Sequence, residues 1–340
     1  MQYRNLGRSG LKVSEICLGA MTFGHSTDEA EAGAIMDAAF DAGVNFFDTA
    51  NTYAKGRSEE ILGKLLQGRR HDAVIATKCF NPVGPGPNDS GGSRRYIMRA
   101  AEDSLRRLQT DHIDVYYLHH TDRETPLDET LRALDDLVRS GKVGYIACSN
   151  YEAWRLMEAL WISDTRGWER FTAYQPQYNL VVRDIEPEIM PVCKLKGVGM
   201  VAWGPLAGGF LTGKYQPGER TAPGSRSAEN WVFMDHMFAH NADNTLKTLL
   251  RLSKEQGCLP AALAIRWVLE QEGISSAIVG ARTAEQFAKS LQAVDLAPPE
   301  AVLRQLTDVS AQKPRYPHIS EQHMPQRRRD ALQPPWAPKK

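Results

Sequence analysis

Four side chains of the types used for proton transfer stand near the ends of short apolar runs. Asp48, Lys78 and His119 each end or directly follow such a run, and Tyr53 comes five residues after Asp48. A free tyrosine has a pKa of about 10 and is a poor acid at neutral pH. An ammonium beside the phenol favours the phenolate and lowers that pKa. If the four side chains meet, they predict a proton donor that works near pH 7.

Each of the four residues has a defined task in such a site. Lys78 would lower the pKa of Tyr53, Asp48 would keep the lysine charged and fixed, and His119 would hydrogen-bond the same substrate oxygen. Lowering a pKa by two units corresponds to about 2.7 kcal/mol, within reach of a charge in contact in a partly dry site. Taken singly, such residues more often serve the fold, as a salt bridge or as a buried core group. Four of them at successive run ends indicate a site.

Short apolar runs alternate with longer amphipathic stretches eight times along the chain. The runs are rich in Val, Ile and aromatic residues, as expected for strands buried on both faces. Eight strand-then-helix units predict an α/β fold, a (β/α)8 TIM barrel, in which the strand C-termini converge on one mouth. The predicted strands are Glu15–Leu18, Asn45–Asp48, Ala73–Thr77, Ile113–Leu118, Val143–Cys148, Phe171–Gln175, Met200–Trp203 and Ser276–Val279.

The helical stretches between these runs carry recognisable end signals. Ser26-x-x-Glu29 has the spacing of a capping box, and Gly43 follows the last periodic residue of the same stretch. Ser93 is expected to cap a helix over Arg94–Leu108. These signals predict helices that pack on the outside of the barrel.

The barrel is predicted to form one domain over residues 1–313, with a Pro/Arg-rich tail at 314–340. The leading segment Tyr3–Val13 reads as a β-hairpin that plugs the bottom of the barrel. Two connections, Asn81–Gly92 and Gly204–His240, are too long to be simple turns. Both follow predicted strands, so they are expected at the face where such barrels carry their chemistry.

Composition excludes several classes of protein. The 340 residues contain 41 Lys plus Arg and 41 Asp plus Glu, so the net charge of zero argues against nucleic acid or an anionic membrane as a partner. No run approaches the roughly 20 apolar residues of a membrane span, and the N-terminus lacks the apolar core of a secretory signal. The five cysteines form no CxxC pair and fit neither a disulfide framework nor a zinc site. We expect a cytoplasmic protein with buried thiols.

Six short motifs recur in order along the chain. They are Leu18-Gly19-x-Met21, Phe47-Asp48-Thr49-Ala50-x-x-Tyr53, Ser104-Leu105-x-Arg107-Leu108, Asp114-x-Tyr116-x-x-His119, Gly141-Lys142-x-x-x-Ile146 and Gly280-Ala281-Arg282. With these motifs the sequence resembles the aldo-keto reductase family, from about Tyr3 to Leu296. The resemblance implies a (β/α)8 barrel, a nicotinamide cofactor and a catalytic tetrad of Asp48, Tyr53, Lys78 and His119.

The cofactor is expected in loops after the late strands, because no G-x-G-x-x-G follows any strand. By resemblance, Trp203 stacks on the nicotinamide ring while Ser149, Asn150 and Gln175 hold its carboxamide. The alternative is that Trp203 belongs to the barrel core and Asn150 caps a helix. The other residues expected at the cofactor are Gly19, Ala20, Met21, Asp48, Gly204, Pro205, Leu206, Ala207, Gly208, Lys214, Arg226, Gly280, Arg282, Gln286, Lys289 and Ser290.

The expected nucleotide is NADPH/NADP+, with NADH as the alternative. Arg282 stands just before the last barrel helix, where a guanidinium and the helix N-terminus would meet an adenosine 2′-phosphate. Relatives often carry a Glu-Asn pair at the adenine, whereas this chain has Lys289 and Ser290. A further cation there favours the more negative cofactor.

The leading functional hypothesis is an NADPH-dependent oxidoreductase that reversibly reduces an aldehyde or ketone to an alcohol, with the proton from Tyr53. An NADP(H)-binding sensor or accessory subunit with little turnover is the alternative, and a metal-dependent lyase lacks suitable ligands at the strand ends. The partner is then a small carbonyl or alcohol, and a homo-oligomer is left open. Met21 and five further residues are expected to wall the substrate pocket: Phe23, Ala54, Phe80, His120 and Trp231.

Overall fold

Eight parallel strands close into a barrel in the computed structural model, which describes residues 1–221, 238 and 241–322. The strands are β1 (Tyr3–Asn5), β2 (Lys12–Ser14), β3 (Ile16–Gly19), β4 (Phe46–Asp48), β5 (Val74–Cys79), β6 (Ile113–Leu118), β7 (Val143–Ser149), β8 (Ala173–Gln175), β9 (Gly199–Trp203) and β10 (Ile274–Val279). The helices are α1 (Glu29–Asp41), α2 (Arg57–Leu65), α3 (Arg94–Leu108), α4 (Leu127–Arg139), α5 (Ala153–Arg166), α6 (Ile189–Lys196), α7 (Ala242–Glu255), α8 (Pro260–Leu269), α9 (Ala284–Leu291), α10 (Glu300–Val309) and α11 (His318–Gln322).

The strand order confirms the predicted (β/α)8 barrel. The strands β3 to β10 follow one another around the ring in chain order, and β10 pairs with β3 to close it. All eight predicted strands are present, with ends that differ by up to two residues from the expected bounds. Because the strands are parallel, their carboxyl ends share one face of the barrel.

The helix caps agree only in part with the sequence signals. Ser93 caps α3 as predicted, since its hydroxyl accepts from the Tyr96 amide. The capping box at Ser26 is wrong: the cap of α1 is Asp28, whose carboxylate accepts from the amide of Glu31. Asp28 has extended backbone and directly precedes the first helical residue, so its side chain reaches the orphan amide that Ser26 cannot.

Alternation along the strands divides the apolar residues into two layers. Phe46 points into the barrel and joins a small interior cluster, whereas Phe47 points outward and packs under the helices. On β6, Tyr117 and Tyr116 divide in the same way. This period of two also places Asp48, two residues after Phe46, on the interior side at the mouth.

The antiparallel hairpin β1–β2 closes the barrel at the end opposite the mouth. Leu6 and Val13 are fully buried in the interior cluster. The carboxylate of Glu15, also fully buried, pairs with Arg4 and Arg266. The hairpin is therefore the plug that the sequence predicts.

The division into a barrel over 1–313 and a tail over 314–340 stays a prediction. Within that segment the short helix α11 is described, and residues from 323 onward lie outside the described part. No helix in the described ranges is both long enough and apolar enough to cross a membrane.

The cysteines are free thiols, and burial raises the pKa of Cys79 to about 12, so that thiol is unreactive.

Leu6→Ala tests the plug. Removing this fully buried side chain leaves a cavity in the interior cluster, and we expect unfolding free energy to fall by about 2–5 kcal/mol in urea denaturation. Leu195→Ala is the matched control, because Leu195 is 77% exposed and its loss should cost about 0.5 kcal/mol or less. Equal effects of the two substitutions would contradict the packing role of the hairpin.

Candidate active site

A cavity of about 790 Å³ opens at the carboxyl ends of the barrel strands. This volume lies within the range of pockets that bind small molecules and cofactors. Three residues of the predicted tetrad line it, Asp48, Tyr53 and His119, together with His120 from the predicted substrate wall. The predicted cofactor residues that line it are Gly19, Met21, Asp48, Ser149, Asn150, Gln175, Trp203, Gly204, Pro205, Leu206, Gly208, Lys214, Gly280, Arg282, Gln286, Lys289 and Ser290.

The fourth tetrad residue, Lys78, lies fully buried behind the cavity wall. Its ammonium donates to the Asp48 carboxylate and to the Thr49 carbonyl, the latter at 2.7 Å. Burial opposes the charge on Lys78, but Asp48 and Tyr53 outweigh burial, and the pKa of the lysine lies above its ordinary value. Lys78 is therefore an ammonium throughout the physiological range.

Asp48 is held at both carboxylate oxygens. One oxygen accepts from Lys78, and the other accepts from the side-chain amide of Gln175 at 2.9 Å. Burial raises the pKa of Asp48, while the charge of Lys78 and the two hydrogen bonds oppose that rise. The carboxylate consequently fixes the position of the lysine ammonium.

Tyr53 sits above the buried pair at the start of a short 3-10 turn, Tyr53–Gly56. Its ring centroid lies 5.1 Å from the Lys78 ammonium and 5.9 Å from the centroid of the His119 ring, in an edge-on arrangement. The structure therefore brings the four predicted tetrad residues together, with the phenol between a fixed cation and an imidazole.

His119 is a neutral imidazole in this setting. Burial, followed by the charge of Lys78 and the neighbouring His120, lowers the pKa of His119 to about 2. The amide nitrogen of Asn81 lies 3.3 Å from Nδ1 and can only donate, so Nδ1 accepts and Nε2 carries the proton. Nε2 of His119 is thus a hydrogen-bond donor at all physiological pH values.

The residues predicted to hold a carboxamide form one hydrogen-bonded group. Asn150 donates to the carbonyl of His119 and to the Ser149 hydroxyl, both at 3.0 Å, and accepts from the indole nitrogen of Trp203 at 3.3 Å. Ser149 in turn donates to the Gln175 carbonyl at 2.7 Å. This group links the ends of β7, β8 and β9 to the tetrad.

Glycines shape the far side of the cavity. The backbone of Gly204 has a φ of +66°, and a side chain there would point into open space. A Cβ on Gly209 would lie 3.1 Å from the side chain of Lys214, and one on Gly280 would lie 3.3 Å from the Gly19 carbonyl. This side of the cavity is thus formed by glycine backbone without side chains, and the Lys214 side chain covers part of it.

The N-terminus of α9 closes one end of the cavity. Thr283 caps the helix by accepting from the amide of Gln286, whose side chain accepts from the Arg282 amide at 3.1 Å. Lys289, which the sequence suggested as an extra cation, pairs with Glu285 one turn earlier. Both side chains are exposed, so this is a surface ion pair at the edge of the cavity.

Backbone strain is concentrated around this mouth. Positive φ values at residues other than glycine are uncommon, and they collect at functional sites. In the described part of the chain, all but one such residue lie in loops that follow barrel strands at the mouth, and Gln109 ends α3. The strained loop residues are Ala54, Lys55, Phe80, Asn150 and Ala207.

Several predicted residues do not line the cavity. Phe23 is fully buried and packs into the apolar layer between the strands and the helices. Its amide donates to the Ala20 carbonyl at 3.0 Å, and this turn directs the ring away from the cavity. Ala20 and Ala207 are likewise buried. Two further substrate-wall residues, Ala54 and Phe80, are half-buried beside the mouth, and Arg226 and Trp231 lie outside the described residues.

Sequence reasoning missed some lining residues. Asn81 follows Lys78 by three residues at the start of a long loop, and that position could have marked it as a neighbour of His119. Leu259 and Ala261, in contrast, come from the start of α8 and carry no polar signal. The remaining missed residues are Thr22, Gly209, Thr212, Ile278, Val279 and Ala281.

The mouth of the barrel thus combines a buried Lys–Asp pair, a phenol and a neutral imidazole. The sequence profile described as "Aldo/keto reductase family" matches residues 15–311. The chain therefore belongs to the aldo/keto reductase family, and it is a carbonyl-reducing oxidoreductase by that membership.

Individual relatives agree with this assignment. The "Uncharacterized oxidoreductase YrpG" of Bacillus subtilis (strain 168) is 42% identical, over 91% of this chain and 96% of that protein. The "Probable voltage-gated potassium channel subunit beta" of Arabidopsis thaliana is 38% identical over 93% and 99%. The L-glyceraldehyde 3-phosphate reductase of Escherichia coli (strain K12) is 34% identical over 87% and 88%.

His119→Gln tests the neutral imidazole. Because the pKa of His119 is about 2 in the folded chain and about 6.5 in the unfolded chain, only the unfolded chain gains a proton as pH falls below 6.5. Folding stability supplied by the neutral form is therefore lost on acidification. Between about pH 7.5 and pH 5.5, wild type should lose about 1.4 kcal/mol more unfolding free energy than the variant.

Urea denaturation at the two pH values measures this difference, with the exposed His25→Gln as control. The control should keep the wild-type dependence on pH. Identical acid sensitivity of wild type and His119→Gln would show that the imidazole takes up a proton while folded.

Proposed function

We propose that the chain is an NADPH-dependent reductase of aldehydes or ketones, in which Tyr53 protonates the carbonyl oxygen. The observation that carries this proposal is the buried Lys78–Asp48 pair directly beneath the Tyr53 ring. An ammonium fixed at that distance stabilises the phenolate, lowers the pKa of the phenol and makes it an effective acid near neutral pH.

Tyr53 and His119 have different tasks at the carbonyl oxygen: Tyr53 supplies the proton, and His119 supplies a hydrogen bond. The Nε2–H of His119 donates a hydrogen bond to the oxygen as negative charge develops on it, which stabilises the transition state. Because His119 is neutral, it orients the oxygen without competing with Tyr53 as an acid. In alcohol oxidation the same phenol, as phenolate, accepts the proton.

The cavity fits a reduced nicotinamide dinucleotide, which when bound supplies the hydride to the carbonyl carbon. Trp203 offers a flat indole face at the cavity wall, and Gln175, whose amide nitrogen is used by Asp48, can accept from a carboxamide through its oxygen. Bare backbone at Gly204 and Gly208 lets amide N–H groups approach a pyrophosphate, with Lys214 nearby.

For the nucleotide, Arg282 supports NADPH. It lines the cavity at the N-terminus of α9, where a guanidinium binds a phosphate well. Lys289 also lines the cavity, and its exposed pair with Glu285 is weak enough for the ammonium to turn to a phosphate.

For the substrate, the mouth beside Tyr53 offers Met21 and His120, an apolar and a polar group. The Escherichia coli relative is named for a small phosphorylated aldehyde, and it supports an aldehyde as the first substrate class to try.

The five free cysteines fit a reducing compartment, so we place the protein in the cytoplasm.

Tyr53→Phe tests the proton donor. Losing the hydroxyl removes general acid catalysis, and we expect kcat for aldehyde reduction to fall by about a thousandfold. NADPH affinity, measured by quenching of tryptophan fluorescence, should stay unchanged. Tyr145→Phe is the matched control, since Tyr145 lies on β7 outside the cavity lining.

Full activity in Tyr53→Phe would remove the proton-donor assignment. NADPH binding by wild type without turnover on any aldehyde, ketone or alcohol would instead favour an accessory subunit that senses the nucleotide.

Arg282→Ala tests the nucleotide preference. Loss of a guanidinium that pairs with the 2′-phosphate should raise the KM for NADPH about tenfold or more and leave the KM for NADH unchanged. Steady-state kinetics with both nucleotides measures this, with Lys289→Ala as the control for a neighbouring cation. An equal rise for both nucleotides, or a lower wild-type KM for NADH, would contradict NADPH preference.

A further inference from the structure

The first turn of α2 carries two polar side chains that the proposed reaction does not use. Ser58 and Glu59 are both fully buried, although serine and glutamate are usually exposed on helices. They follow Tyr53 by five and six residues, on the same segment that presents the phenol. Buried polar groups of this kind are retained only with good partners, so their partners indicate what they do.

Ser58 ties α2 to the carboxyl ends of β3 and β4. Its hydroxyl donates to the carbonyl of Ala20 at 2.7 Å, directly after β3. The hydroxyl of Thr49 lies 2.8 Å away, and because the Ser58 proton is used on Ala20, Thr49 is the donor. Thr49 is the residue after Asp48, and its carbonyl accepts from Lys78.

Glu59 ties the same turn to β5. One carboxylate oxygen accepts from the hydroxyl of Thr77 at 2.5 Å, and the other accepts from the Arg107 guanidinium at 2.6 Å. Thr77 immediately precedes Lys78 on the strand. Since side chains alternate along a strand, Lys78 faces the barrel interior while Thr77 faces α2.

Arg107 completes the arrangement from α3. A side chain on Gly56, whose φ is +93°, would bring its Cβ to 2.9 Å from the Arg107 stem. The arginine therefore packs against the last residue of the turn that begins with Tyr53. This gives a structural role to Arg107 of the Ser104-Leu105-x-Arg107-Leu108 motif, a residue that the proposed chemistry does not use.

We propose that Ser58, Glu59, Thr77 and Arg107 form a positioning clamp that holds the phenol of Tyr53 at its working distance from the Lys78 ammonium. The clamp rests on the proposed roles of Tyr53 and Lys78. It joins the turn that carries the phenol to the residue before the lysine and to the residue after Asp48. None of the four touches the cavity, so they act through Tyr53 and Lys78 and are positioning residues.

Hydrogen bonds suit this task better than apolar packing would. Apolar contacts tolerate sliding of α2 along the barrel, whereas the short bonds of Glu59 are directional and fix one register. The effect of an ammonium on a phenol depends on their separation, so small sliding would weaken it. Other titratable groups that the described residues place near Tyr53 include His119, which is neutral and has His120 stacked on it, Asp48, which acts through Lys78, and Lys55 in the same turn.

Thr77→Val tests the clamp while keeping the β-branched shape that suits the strand. The readout is the near-ultraviolet titration of Tyr53, isolated by subtracting the same titration in a Tyr53→Phe background. Loosening the clamp should move this titration to higher pH by about one unit and lower kcat at pH 7 by about tenfold, without changing NADPH affinity. Thr77→Ser, which keeps the hydroxyl, should restore both values, and Ser58→Ala should act like Thr77→Val.

Ser276→Ala is the matched control, because Ser276 is a fully buried serine that donates to a backbone carbonyl, of Ser14, far from the mouth. It should lower stability without moving the Tyr53 titration. An unchanged titration in both Thr77→Val and Ser58→Ala, or an equal displacement in Ser276→Ala, would overturn the clamp. Absence of carbonyl turnover in wild type would instead contradict the proposed function, and the titration would still decide on the clamp.

Discussion

The arrangement at the barrel mouth depends on a buried ion pair between Lys78 and Asp48. Removing these two charges from water costs several kcal/mol for each, and this cost is offset only if both are well bonded. The Thr49 carbonyl and the Gln175 amide supply the additional bonds. The result is a cation that is held beside the Tyr53 ring, and in the proposed mechanism this cation makes the phenol an effective acid.

The barrel stabilises this buried pair through two separate apolar layers, one inside the barrel and one between the strands and the helices. Below the mouth, Leu6, Val13 and Phe46 fill the interior and exclude water. Outside, the helices cover the other face of each strand, and α2 reaches inward through Glu59 to the residue beside Lys78. Strain at Ala54 and Phe80 is tolerated because the surrounding elements fix these loops at both ends.

The sequence predicts the elements better than the details of the site. Strand positions follow from period and composition, and polar residues at strand ends converge in any parallel barrel, which is why Asp48, Lys78 and His119 could be foreseen. Which residue caps a helix, and which side chain faces the cavity, depend on backbone geometry that the spacing of residues in the sequence does not encode. Asp28 caps α1 instead of Ser26 because it lies two residues closer to the first helical residue, and Phe23 turns into the core although its neighbours line the cavity. The clamp at Glu59 reads from sequence as an ordinary helix surface, because its partners come from distant segments.

The central claim is that the fixed ammonium of Lys78 sets the acidity of Tyr53. The pH dependence of kcat/KM for aldehyde reduction, compared between wild type and Lys78→Met, tests it most directly. Wild type should lose activity on the alkaline side well below pH 10, as the phenol ionises, and the variant should lose rate at neutral pH while its alkaline limb moves upward. An alkaline limb at the same pH in both proteins would show that the lysine does not control the proton donor.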